Sequence, residues 1–213
     1  MSKSLIALLL VPVGLISGQE LKPVALPTPQ TSGGKPLMQV LKERKSVRDF
    51  GPELLSRQTL SNLLWAAWGI NREDGRRTAP SASNRQEIDV YAIMADGAYI
   101  YDAKANALKP VVQADMRKYA GTQAYVADAP LNLVYVADTA KLGGDDAPRM
   151  ATANADTGFI SQNVYLFCAS EGLGTVVRAS VNRADLGKAL SLRAEQRITL
   201  AQSVGYAKKS AGN

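Results

Sequence analysis

Apolar positions recur along the chain with two periods, one helical and one of two residues. Leu37, Val40 and Leu41 share a helical face and predict a short helix over residues 36–46, ending near Arg44 to Ser46. Ser56 has the chemistry of an N-cap. The stretch "RQTLSNLLWAAWG" behind it places Leu60, Leu63, Leu64 and Ala67 on one face, and Gly69 ends that helix. Residues 70–87 are polar and read as a loop. "IDVYAIM", residues 88–94, alternates like a strand, and Asp96-Gly97 predicts a type I′ turn with Ala98 to Tyr101 pairing back. The unbroken apolar run "LNLVYVAD", residues 131–138, predicts a buried strand. A long helix is predicted over residues 148–171, with Ala155, Phe159, Ile160, Val164, Phe167 and Cys168 as its apolar face. "GLGTVVRA" turns tightly into a strand. Residues 182–190 read as a helix capped by Asn182, and "RITLAQSVGYAKK" as a last strand with a basic tail. No internal repeat is visible. Helices interleaved with a hairpin and further strands predict an α+β fold, a mixed or antiparallel sheet with helices on both faces.

The first residues follow another pattern. Lys3 precedes an apolar run from Leu5 to Ile16, and Ser17 and Gly18 offer a cleavage point. That run is too short to span a bilayer and suits an export signal over residues 1–18, which predicts a periplasmic protein without a stable membrane span. A chain that kept this segment would be cytoplasmic. Residues 19–35, rich in Pro, Gly, Ser and Thr, read as a linker or extended arm. The domain proper is expected over residues 36–209, with a tail at 210–213.

Composition narrows the chemistry. Of 213 residues, 46% are hydrophobic and 21% charged, which is enough apolar material for one core. There is no histidine, so Ser-His and Cys-His nucleophile pairs are excluded, and so is the commonest metal ligand. The one cysteine, Cys168, lies in "VYLFCAS" and reads as a small buried hydrophobe. Asp145-Asp146 sits in a Gly-Pro loop and reads as a solvated turn rather than a metal site. The net charge is +6, but the basic residues are spread along the chain, which argues against nucleic acid as the partner. No dinucleotide fingerprint or phosphate loop occurs. Any chemistry must therefore come from other groups, or from a bound cofactor.

Two clusters are candidates for holding one. In "LKERKSVRDF", Arg44, Ser46 and Arg48 alternate where helix gives way to extended chain, so all three reach one side. Two guanidinium forks and a hydroxyl match a phosphate monoester, with a solvated basic face as the competing reading. In "TAPSASNRQEIDV", Ser81, Ser83, Asn84 and Gln86 offer donors and acceptors, and Asn84 could meet the edge of a planar heterocycle; the competing reading is a Ser or Asx turn.

Together these segments resemble the nitroreductase family of flavin-dependent oxidoreductases, and most closely its branch of azoline dehydrogenases. "RKSVRDF", "APSASNRQE", "ADTGFISQNVYLFCASEGLGTVV" and "SVGYAKK" match the family's motifs in order, from about Pro36 to Lys209. The resemblance implies FMN at the interface of a homodimer, with a small-molecule electron donor and acceptor using one open site by turns. It places Arg44, Ser46 and Arg48 on the FMN phosphate, with Lys45 contributing and Lys208 or Lys209 adding a contact. It places Asn84 at the polar edge of the ring, Ser81 and Ala82 beside it from the opposite subunit, and Val177, Arg178, Ala179 and Ser180 along the ring. No side chain is implied as an obligate acid or base. The sequence departs from the family pattern at Arg85 and at Ala179, where glycine is usual. A flavin carrier without turnover is the alternative reading.

Overall fold

The computed structural model describes residues 22–208. The predicted export signal, Lys209 and the tail at 210–213 lie outside them. Seven strands form one sheet, antiparallel throughout, in the order β1-β4-β3-β2-β5-β7-β6. They are β1 (Val24–Ala25), β2 (Ile88–Met94), β3 (Gly97–Asp102), β4 (Ala107–Val112), β5 (Leu131–Asp138), β6 (Gly174–Arg178) and β7 (Gln196–Gly205). The helices are α1 (Leu37–Glu43), α2 (Arg57–Trp68), α3 (Tyr125–Asp128), α4 (Asp146–Glu171) and α5 (Arg183–Ala189).

β5 shows why the sheet is covered on both sides. Every one of its residues is buried. Leu131, Leu133, Tyr135 and Ala137 face a core shared with α2 and α4. Val134 and Val136 face a second core closed by α5 and by Met116, Ala120 and Val126. Period two in a fully apolar strand requires two cores. The predicted fold class is observed.

Local chemistry sets the helix ends as expected. Ser56 Oγ accepts the Thr59 N–H at the start of α2, Asn182 accepts the Asp185 N–H at the start of α5, and Gly172 closes α4 in the left-handed region. The extended arm is partly ordered: β1 pairs with β4, and Leu26 is buried.

Three expectations change. The hairpin pairs Met94 with Gly97, so its turn residues are Ala95 and Asp96, and neither they nor Gly97 have positive φ. A type I′ turn at Asp96-Gly97 is therefore excluded. Gly97 is needed instead because a Cβ there would lie 2.6 Å from the Val112 carbonyl oxygen. Second, α4 buries only part of the face its apolar residues suggest. Ile160, Val164 and Cys168 are buried as expected and Phe167 is half-buried, but the buried arc extends to polar residues instead of Ala155 and Phe159. Ala155 and Phe159 are exposed, while Ala153, Asp156, Thr157, Ile160, Ser161, Val164, Tyr165 and Cys168 are buried. That face meets polar side chains of the sheet: Thr157 bonds Thr199, and Gln202 donates to the Ser161 carbonyl while accepting from Tyr135. A buried polar seam satisfied in this way packs as well as an apolar one, and hydrophobic patterning does not reveal it. Third, β4 was not predicted; Lys109 and Pro110 interrupt its apolar run at the sheet's edge side.

Candidate functional site

The basic segment begins where α1 stops. Arg44 caps that helix by donating its N–H to the Val40 carbonyl, and its ψ of 124° starts extended chain. The extended stretch docks on the sheet. The Val47 N–H donates to the Thr175 carbonyl at 2.9 Å, Phe50 bridges Ala207, and the Lys208 N–H donates to the Asp49 carbonyl. Docking depends on Gly174, whose missing Cβ would lie 2.8 Å from Val47 Cγ1.

Side chains then alternate. Arg44 lies over the Tyr165 ring, 5.1 Å from its centroid, and Ser46 Oγ is 2.9 Å from the Tyr165 hydroxyl. Arg48 is exposed two residues on. Lys45 and Val47 instead line an open cavity of about 480 Å³, beside the Lys35–Glu43 ion pair and the Gly172 turn. Arg44 and Ser46 thus share Tyr165 as a neighbour, and Lys45 lines a cavity that Tyr165 also borders.

The second cluster is a strained loop. Ser83, Asn84 and Gln86 all adopt left-handed conformations, with φ of 52°, 53° and 47°. Non-glycine residues rarely do so, and three within four positions must be held by their surroundings. The Asn84 N–H donates to the Ser81 carbonyl, the Gln86 N–H to Ser81 Oγ, and the Gln86 amide to Asn84 Oδ1. The Ala82 N–H is tied to Asp156 Oδ2 of α4 at 2.9 Å. The Ser turn is real, and it leaves Ser83 and Asn84 exposed.

Beneath this loop lies Glu87, fully buried, with no donor reaching either carboxylate oxygen. Burial above all, helped by the nearby Asp156 carboxyl, raises its pKa to about 7, against the opposing effect of its own backbone N–H and the weaker pull of Lys141. Neither Glu87 nor Asp156 was singled out from the sequence. The signal was faint: an acid ahead of a strand, and an acid inside a long helix.

The third part is the end of β6. Val177 is partly exposed, and Ala179 and Ser180 are exposed where pairing with β7 has ended at Arg178 and Ala201. The Val177 N–H donates to the Tyr165 hydroxyl at 3.0 Å. Arg178 differs from expectation in its side chain. Its guanidinium runs into the protein and donates to Ser203 Oγ, the Ala120 carbonyl and Asn132 Oδ1. Burial lowers its pKa to about 10. Only its backbone can face a ligand at this edge.

The residues fit a flavin mononucleotide: a cationic pair with a hydroxyl, an open strand end, and an exposed polar loop. Cys168 is buried, and burial pushes its thiol well up, so it offers no thiolate. Among the described residues no group of three acidic, Cys or His side chains is placed to hold a metal ion, and no helix is long and apolar enough to cross a membrane.

The fold and these motifs define a class. The nitroreductase family profile matches residues 41–206, and the chain belongs to that family of oxidoreductases. Among individual relatives, a crystal structure of a nitroreductase from Ralstonia eutropha is 39% identical, with a TM-score of 0.85 over 91% of this chain and 93% of that one. A nitroreductase of Methanocaldococcus jannaschii is 31% identical over 153 residues, 66% of this chain and 76% of the relative. The NADPH:FMN oxidoreductase of Vibrio harveyi, solved with NAD+, shares the fold at a TM-score of 0.62 and 19% identity, over 81% of this chain and 69% of that one.

Proposed function

We propose that this chain is an FMN-dependent oxidoreductase of ping-pong type, in the azoline-dehydrogenase-like branch of its family, working as a homodimer. The observation that carries the reading is the junction at Tyr165. One hydroxyl joins Ser46 of the cationic segment to Val177 of the strand whose open end follows. Phosphate anchor and ring-facing edge are thereby held side by side, which a planar cofactor with a phosphate tail needs. FMN, when bound, supplies hydride acceptance and donation at N5. Arg44, Ser46 and Arg48 neutralise and orient the phosphate. The backbone at Ala179 and Ser180 would lie along the ring, Asn84 would meet its polar edge, and Ser81 and Ala82 would border it. A bulk proton suffices for turnover, and no side chain is assigned as acid or base.

The geometry of α4 favours the dimer. Asp156, which holds the loop, and Tyr165, which holds the anchor, are nine residues apart. At 3.6 residues per turn this places them about 14 Å apart and on opposite sides of the helix. Between them runs the exposed ridge of Ala155, Phe159 and Gln162. A two-fold pairing of α4 ridges would bring one copy's loop toward its partner's anchor. Leu37, Met38 and Leu41 of α1 are also exposed and add apolar surface for such a contact.

The test is reduction of the flavin-loaded protein by NADH, NADPH or an azoline, which would be oxidised to the azole, followed by reoxidation with a nitroaromatic or a quinone. Reduction by dithionite alone, with no turnover on any acceptor, would instead support a flavin carrier.

A further inference from the structure

Tyr165 touches Arg44, Ser46 and Val177 in the anchor half of the site. Its ring carries the Arg44 guanidinium at 5.1 Å. Its hydroxyl oxygen accepts the Val177 N–H at 3.0 Å and shares a hydrogen bond with Ser46 Oγ at 2.9 Å. The side chain is 7% exposed and rises from the buried arc of α4, so the helix and the sheet fix its position. Ser46 itself is exposed, on extended chain just past a helix end. Among the described residues its only side-chain hydrogen bond is the one to Tyr165. Without it, the hydroxyl is free to rotate.

We infer that Tyr165 is a positioning residue that presents Ser46 and Arg44 to the cofactor's phosphate, and so sets the preference for a flavin that carries a phosphate over one that does not. This rests on the FMN reading above. The ring and the hydroxyl have separable tasks. The ring face orients Arg44 by cation–π attraction, and the hydroxyl orients Ser46. Phenylalanine keeps the first and removes the second.

The experiment titrates protein freed of flavin with FMN and with riboflavin, for the unaltered chain and for the Tyr165→Phe, Ser46→Ala and double variants. Riboflavin shares the ring but lacks the phosphate, so the ratio of the two affinities isolates the anchor from any general loosening of the fold. Tyr165→Phe removes the hydrogen bonds to both Ser46 and Val177, but only the one to Ser46 bears on the phosphate. The FMN-over-riboflavin ratio is therefore expected to fall about fivefold to tenfold in this variant. It should fall at least as far in Ser46→Ala, which also removes the presented hydroxyl itself. It should fall no further in the double variant than in Ser46→Ala, because Tyr165 acts on the phosphate through Ser46. An unchanged ratio in Tyr165→Phe, or losses that multiply in the double variant, would overturn the inference. If Tyr165→Phe does not fold, Ser46→Ala still decides, since an unchanged ratio there contradicts it equally. An unaltered chain that binds neither flavin defeats the FMN reading itself.

Discussion

Glu87 is the most heavily constrained single residue in the structure. Its carboxyl is fully buried, lacks a donor and lies near Asp156, so the folded state favours its protonated form. The folded pKa of about 7 stands above the ordinary 4.5. The sign follows: the stabilisation is complete below pH 4.5 and is lost as pH rises through about 7. Glutamine cannot ionise, and its amide can donate to Asp156. The Glu87→Gln variant is therefore expected to match the unaltered protein near pH 4.5 and to exceed it above pH 7 by on the order of 2 kcal/mol. Urea titrations at the two pH values check this; an equal gap at both would contradict it. Residues of this kind were not legible in the sequence. Arg44, Ser46, Arg48 and Asn84 carry their chemistry in type and spacing, whereas Glu87, Asp156 and Tyr165 gain theirs only when remote segments meet.

Among the elements, β6 and the extended segment beside it depend on one missing side chain. Gly174 lets Val47 approach, and that approach brings Arg44 and Ser46 to Tyr165. The Gly174→Ala variant is expected to lose about 1–3 kcal/mol by overpacking and to bind FMN more weakly as the segment lifts. Pairing it with Val47→Ala, which removes the nearest clashing atom, should recover part of both losses. Thermal melts and FMN titration of the single and double variants measure this, and absence of any recovery would place the strain elsewhere. Most elements could be read from pattern, because α2, β2, β5 and α5 obey simple periods and carry their own caps. The face of α4 could not. Thr157, Ser161 and Asp156 are buried through hydrogen bonds, and hydropathy scores such positions as surface. β4 was missed because Pro110 is tolerated in it.

For the whole molecule, the proposed homodimer would form on the exposed ridge of α4. Phe159 is 48% exposed beside Ala155 and Gln162, so a charge there should oppose self-association while leaving the protomer's core intact. The Phe159→Glu variant is expected to elute as one chain rather than two in size-exclusion chromatography and to lose flavin with its partner. A monomer that holds FMN as tightly as the unaltered protein would show that one chain completes the site. Fold and family were legible because four short motifs occur in order along nearly the whole domain; the assembly was not, because no motif marks an exposed ridge. The most direct test of the central claim is FMN titration of the purified, flavin-free protein alongside Arg44→Ala. One FMN per chain is predicted, with binding about 10- to 100-fold weaker once the charged contact is removed and the melting behaviour retained. A protein that takes up no FMN, or an Arg44→Ala variant that binds it undiminished, would contradict the account.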